Sequence, residues 1–118
     1  MADRKDGDSL NLLQGTLDLL ILQALAWGQM HGYGVSRLIR ERTNEVLLVE
    51  DAALYQALHR LERKGCIEAE WGVSDNNRRA KYYSLTAAGR KQLAREMREW
   101  EQTADLIAAF LAPRREPT

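Results

Sequence analysis

The chain has 118 residues, with a single cysteine, two prolines near its end, one phenylalanine and two histidines. One cysteine excludes an internal disulfide, and the position of Cys66 between Gly65 and Ile67 suits a small buried apolar residue. His31 and His59 have no ligand-spaced cysteine or acidic cluster around them, so no metal and no other cofactor is expected. His31, directly before Gly32, is expected to shape a turn. No nucleophile with a companion base and no phosphate-cradling glycine loop is present, because HGYG (His31 to Gly34) lacks the spacing and the preceding strand that such a loop needs. Enzymatic activity is therefore not expected. The most apolar stretch, Leu10 to Trp27, is interrupted by Asp18, with Gln14 and Gln23 on either side, and Asp3, Asp6 and Asp8 precede it where an export signal needs positive charge. These features point to a cytoplasmic chain with no membrane partner.

Net charge is also missing, since 17 basic residues balance 17 acidic ones. The balance hides a gradient. Arg60 to Lys91 holds eight basic residues (Arg60, Arg63, Lys64, Arg78, Arg79, Lys81, Arg90, Lys91) against four acidic ones, leaving nine basic and thirteen acidic elsewhere. A local positive segment on an otherwise acidic chain fits an electrostatic footprint for nucleic acid, or an ordinary solvated surface.

The length suits one domain. Met1 to Ser9 is charged and contains glycine, so residues 1–9 read as a loose tail. A first helix is expected from near Gly15 or Thr16, with Thr16 as cap, to about Ala26. Its stripe of Leu17, Leu20, Ile21, Ala24 and Leu25 is joined by Leu13, Leu19 and Leu22 off that stripe, so it should be buried on more than one side. A second helix is expected from about Tyr33 to Thr43. A third begins after Val49, gathers Leu54, Ala57, Leu58 and Leu61 on one side, and projects Ala52, Gln56, His59 and Arg63 from the other. Gly65 closes it as a left-handed cap. The alternation of Ile67, Ala69, Trp71 and Val73, followed by the strand formers of Lys81 to Leu85, predicts a hairpin turning at Ser74 to Asn77. Thr86 caps a last helix to about Leu111, and Pro113 and Pro117 end regular structure.

Three helices followed by a hairpin is the order of a winged helix. The expected fold is mainly α (α+β): a winged helix-turn-helix over residues 10–85 with a two-stranded β wing, a long C-terminal dimerisation helix over 86–112, and a flexible tail at 113–118. In that architecture the third helix enters the DNA major groove and the wing tip reaches sugar and phosphate. Arg78 and Arg79 then suit phosphate through bidentate donation, although a soluble turn would also carry them. Gln56 suits adenine in the groove, while Gln56, His59 and Arg63 together equally describe a plain exposed helix face. Tyr55 stands at the edge of the apolar side, where its ring can instead complete the core.

In the last helix Leu93, Met97, Trp100, Ala104, Ile107 and Leu111 are spaced 4, 3, 4, 3 and 4, a heptad seam that predicts a homodimer. A two-fold protein matches a two-fold operator.

Three ordered motifs, HGYGVSRLI (His31 to Ile39), LYQALHRLERKGCIEAEW (Leu54 to Trp71) and RRAKYYSLTAAGRKQL (Arg78 to Leu93), resemble the PadR-like transcriptional regulators over roughly Leu12 to Leu111. The resemblance implies a dimeric winged-helix DNA-binding regulator, usually a repressor, whose last helix pairs the subunits. It makes Tyr55 and the exposed side of the third helix DNA-facing, and Arg78, Arg79 and Lys81 the wing contacts. Where relatives begin the third helix with Gly and Ser or Thr, this chain has Ala52 and Ala53, and Gln56 replaces a common Pro. In drug-binding relatives a Trp on the last helix stacks against planar ligands between subunits, and REWEQTADLI resembles that segment. Trp100 is thus a candidate for a planar hydrophobic effector as well as for dimer packing. A winged-helix module that binds protein without an operator is the alternative.

Overall fold

The computed structural model describes residues 14–115. The elements run α1 (Gln14–Ala26), β1 (Met30–His31), α2 (Gly32–Arg42), α3 (Asp51–Arg63), β2 (Ile67–Val73), β3 (Arg79–Leu85) and α4 (Ala87–Leu111). The expected tail at residues 1–9 lies outside the described residues, as do Leu13 and residues 116–118. The winged helix expected from the order of elements is present, with one strand more than the expected hairpin. Met30 and His31 pair antiparallel with Tyr83 and Tyr82, making a three-stranded sheet of order β1-β3-β2.

Apolar side chains surround α1, and it is the centre of the core. Ile21 and Leu22 are fully buried, Leu17, Ala24 and Leu25 nearly so, and Leu19 and Leu20 pack against the same cluster. Thr16, expected to cap α1, lies inside it, because the helix already includes Gln14. Leu54, Ala57, Leu58 and Leu61 of α3 fill the other side of the core together with Val35 and Ile39 of α2 and Ile67, Tyr83 and Leu85 of the sheet.

Asp18 is the one polar residue in this interior among the described residues, 4% exposed. It does more than interrupt an apolar run: the Arg60 guanidinium donates to its carboxylate at 2.6 Å, tying α1 to α3. A buried carboxylate needs such a partner to offset its desolvation.

The corner between α3 and α4 is tightly built. Gly65 adopts φ 79° and Cys66 N–H donates to the Leu61 carbonyl at 3.0 Å, a Schellman closure of α3. Thr86 then caps α4 by accepting from Gly89 N–H at 3.0 Å, and donates its own hydroxyl to the Gly65 carbonyl at 2.6 Å. A Cβ on Gly89 would overlap the Cys66 carbonyl oxygen, so only glycine lets α4 start this close. The direction in which α4 leaves the domain is thereby set. After Leu93, which is 9% exposed and joins the core, α4 has no buried residue.

Candidate nucleic-acid interface

The exposed side of α3 follows from its periodicity. Ala52, Gln56, His59 and Arg63 are all exposed and, with Tyr55 and Arg60, line one shallow concavity. Glu50 takes the N-cap backbone position without a side-chain cap bond, and Asp51 occupies the first turn. Both favour the positive end of the helix dipole.

The wing grows from the sheet by register. Trp71 faces Lys81 and Val73 faces Arg79 on the side of the sheet that carries Ile67 and Leu85 into the core. At the turn Asn77 adopts φ 61°, its N–H donates to the Ser74 carbonyl at 2.8 Å, and Ser74 N–H donates to the Arg78 carbonyl at 2.7 Å. Asn tolerates this left-handed conformation, so the Ser-Asp-Asn-Asn run turns as its composition requires. Arg78 lies in the turn and Arg79 opens β3; both are exposed, and neither makes an ion pair among the described residues.

A second cleft, of about 610 Å³, separates the wing from the start of α2. His31, Tyr33 and Tyr55 form one wall, and Trp71, Arg78, Arg79 and Lys81 the other. Tyr55 is 45% exposed. A Cβ at Gly32 would come within 2.6 Å of its hydroxyl, so the ring lies across the start of α2 instead of entering the core. His31, expected to shape a turn, instead ends β1 and caps α2, its Nδ1 accepting from Gly34 N–H at 2.9 Å while its ring lies 5.3 Å from that of Tyr82.

Not every basic residue of the Arg60 to Lys91 segment points outward. Arg60 is occupied by Asp18, and Lys81 lies 3.6 Å from Glu62 of α3 and 5.7 Å from the centre of the Tyr83 ring. Burial, and secondarily the Glu62 carboxylate, push the Tyr83 hydroxyl above the usual tyrosine range. Arg78, Arg79 and Arg63 are the cations left at the exposed surface of α3 and the wing. The Trp71 ring lies under Arg79, with the guanidinium carbon 4.4 Å from the ring centre, a pairing that the sequence pattern does not announce. Alternation puts Trp71 on the face of Val73, but the diagonal contact to Arg79 depends on strand register.

On α4, Leu93 belongs to the core of its own domain, so the exposed seam starts at Met97 and not at Leu93. Trp100 is 54% exposed, Ile107 and Leu111 more than half, and Phe110, off the seam, 88%. Ala104 is half-buried. Among the described residues no group of three or more His, Cys, Asp or Glu side chains could hold a metal, and no helix is long and apolar enough to cross a membrane.

The profile of the Transcriptional regulator PadR-like family matches residues 21–95. The chain belongs to the PadR-like family of transcriptional regulators. An uncharacterized protein from Lysinibacillus sphaericus is 36% identical over 102 residues, covering 86% of this chain and 93% of the relative. A transcriptional regulator from Clostridium thermocellum is similar in structure, with a TM-score of 0.76, 35% identity, and coverage of 83% of this chain and 95% of the other. A PadR family transcription regulator from Clostridium difficile gives a TM-score of 0.72 at 30% identity, covering 81% and 98% respectively. PadR regulators bind DNA, so this chain is a DNA-binding regulator. The profile match takes in α2, α3 and the wing and ends before Met97, so the α4 seam stands on its own heptad spacing and exposure.

Proposed function

We propose that this PadR regulator is a homodimeric repressor that binds a two-fold operator and acts in the cytoplasm. In this reading α3 lies in the major groove, where Gln56, His59 and Arg63 face base edges, and Arg78 and Arg79 of the wing, with Lys81 at its base, meet the phosphate backbone. The observation that carries it is the position of Tyr55, which lines both the concavity of α3 and the cleft under the wing, and so joins the two candidate contact surfaces. One duplex can engage both surfaces at once. The exposed seam of Met97, Trp100, Ala104, Ile107 and Leu111 pairs two copies, because a solvent-facing row of large apolar groups on a regular helix is stable only when covered. Half-sites then fall about one helical turn apart. Trp100 also gives the dimer a flat aromatic face suited to a planar hydrophobic effector. No enzymatic step is involved.

The test is competition between a duplex from immediately upstream of the protein's own gene and a scrambled duplex of the same composition. Preference for the native duplex by about a thousandfold or more supports operator recognition. Equal binding, or none at low salt, removes it and leaves the wing as a surface for a protein partner.

A further inference from the structure

We infer that Trp71 is a positioning residue that holds Arg79 for its phosphate, an inference that rests on reading Arg79 as a DNA contact. Trp71 is 58% exposed and fills no part of the core, so packing does not account for its ring. Strand register places it diagonally from Arg79 on one sheet face, a separation that long and aromatic side chains span. Lys81, directly opposite Trp71, lies 3.6 Å from Glu62, leaving the ring to Arg79, whose guanidinium carbon lies 4.4 Å from its centre.

The backbone behind Trp71 is braced from the other face. Tyr82 lies across Gly72, where a Cβ would stand 3.1 Å from its ring, and donates its hydroxyl to the Val73 carbonyl at 3.3 Å. An aromatic ring under a guanidinium attracts the charge while leaving N–H groups free to donate to an anion. A side chain already ordered this way loses less rotamer freedom when it meets phosphate. Trp71 thus raises affinity without touching DNA and without adding a charge of its own.

The test measures dissociation constants for the upstream duplex across a salt series. The proteins are wild type, Trp71→Leu, Trp71→Phe, Arg79→Ala and the Trp71→Leu/Arg79→Ala double variant, each checked for folding by thermal melting. Trp71→Gln replaces Trp71→Leu if the latter does not fold. Losing the ring is expected to weaken binding about two- to five-fold, the exposed cation–π range, with an unchanged salt slope; Trp71→Phe should retain most of the affinity. Arg79→Ala should flatten the slope by about 0.9 for each phosphate it no longer neutralises, and adding Trp71→Leu should then cost nothing further. Fully additive losses, or wild-type affinity in Trp71→Leu, overturn the role of Trp71 while a flattened slope in Arg79→Ala keeps the wing on the phosphate backbone. An unchanged slope in Arg79→Ala overturns the wing's part in DNA binding, and the positioning role with it.

Discussion

Replacing Asp18 with alanine separates a structural account of the α1–α3 junction from a superficial one. Arg60 donates to Asp18 at 2.6 Å, the two side chains keep only 20% and 6% of their exposure, and Arg60 Nε is buried with no hydrogen-bond partner among the described residues. Among the described residues the carboxylate is therefore the only group compensating a guanidinium drawn into the domain. Removing one member of a buried pair costs about 3–5 kcal/mol. Arg60 also borders the open concavity of α3, so it can swing partly into water, and the expected loss falls to about 2–3 kcal/mol. For a domain of this size that lowers the melting temperature by on the order of 10 °C or more. Urea melts followed by circular dichroism measure it directly, at fixed protomer concentration so that the proposed dimerisation, which would add to stability, is held constant. The Asp18→Leu/Arg60→Leu double variant should recover most of the loss, since it leaves no unpaired charge. A loss below about 0.5 kcal/mol for Asp18→Ala, or a double variant no better than the single, would refute the idea that the pair sets how α3 sits on α1.

Gln56→Ala should relax sequence preference by about 1–3 kcal/mol at one base pair; if wild type and variant rank a panel of operator variants identically, Gln56 does not read a base. Trp100→Ala should weaken the dimer by about 2 kcal/mol or more, as truncation of a central aromatic anchor does, and a dimer equally tight in sedimentation equilibrium would remove Trp100 from the interface. Tyr83 should ionise above the ordinary tyrosine value of 10.0, visible as a late component of an ultraviolet titration that Tyr83→Phe abolishes. Because burial raises its folded-state pKa, the protonated form is favoured by folding; the stability it contributes is complete below pH 10.0 and is lost as pH rises through the folded value. Loss of stability in Tyr83→Phe at the same pH and to the same extent would show that another group is responsible.

Local signals were legible where the physics is local. The spacing of Leu54, Ala57, Leu58 and Leu61 located the buried side of α3, and the outward row opposite it followed. Gly65, Thr86 and the Ser74 to Asn77 turn marked boundaries, because each supplies a backbone angle or a cap that few residues can. Contacts between distant segments were not legible. Strand β1 has two residues, too few to alternate, and exists because β3 presents a free edge. Asp18 and Arg60 lie 42 positions apart, and only the crossing of α1 and α3 brings them together. The heptad spacing of α4 was correct as periodicity, yet it could not show that the helix is still covered by its own domain at Leu93 and leaves it before Met97. Likewise the run Arg78, Arg79, Lys81 reads as three equivalent cations, but the fold turns Lys81 toward Glu62 and lays Arg79 over Trp71.

That α3 and the wing together hold one duplex of defined sequence is tested most directly by the affinity of the wild-type protein for the upstream duplex as salt is varied. A steep fall is expected, with log affinity losing about 0.9 per neutralised phosphate for each unit of log salt, together with a preference over scrambled DNA that persists as salt rises. An affinity indifferent to salt, or a preference that vanishes with it, would contradict this mode of binding.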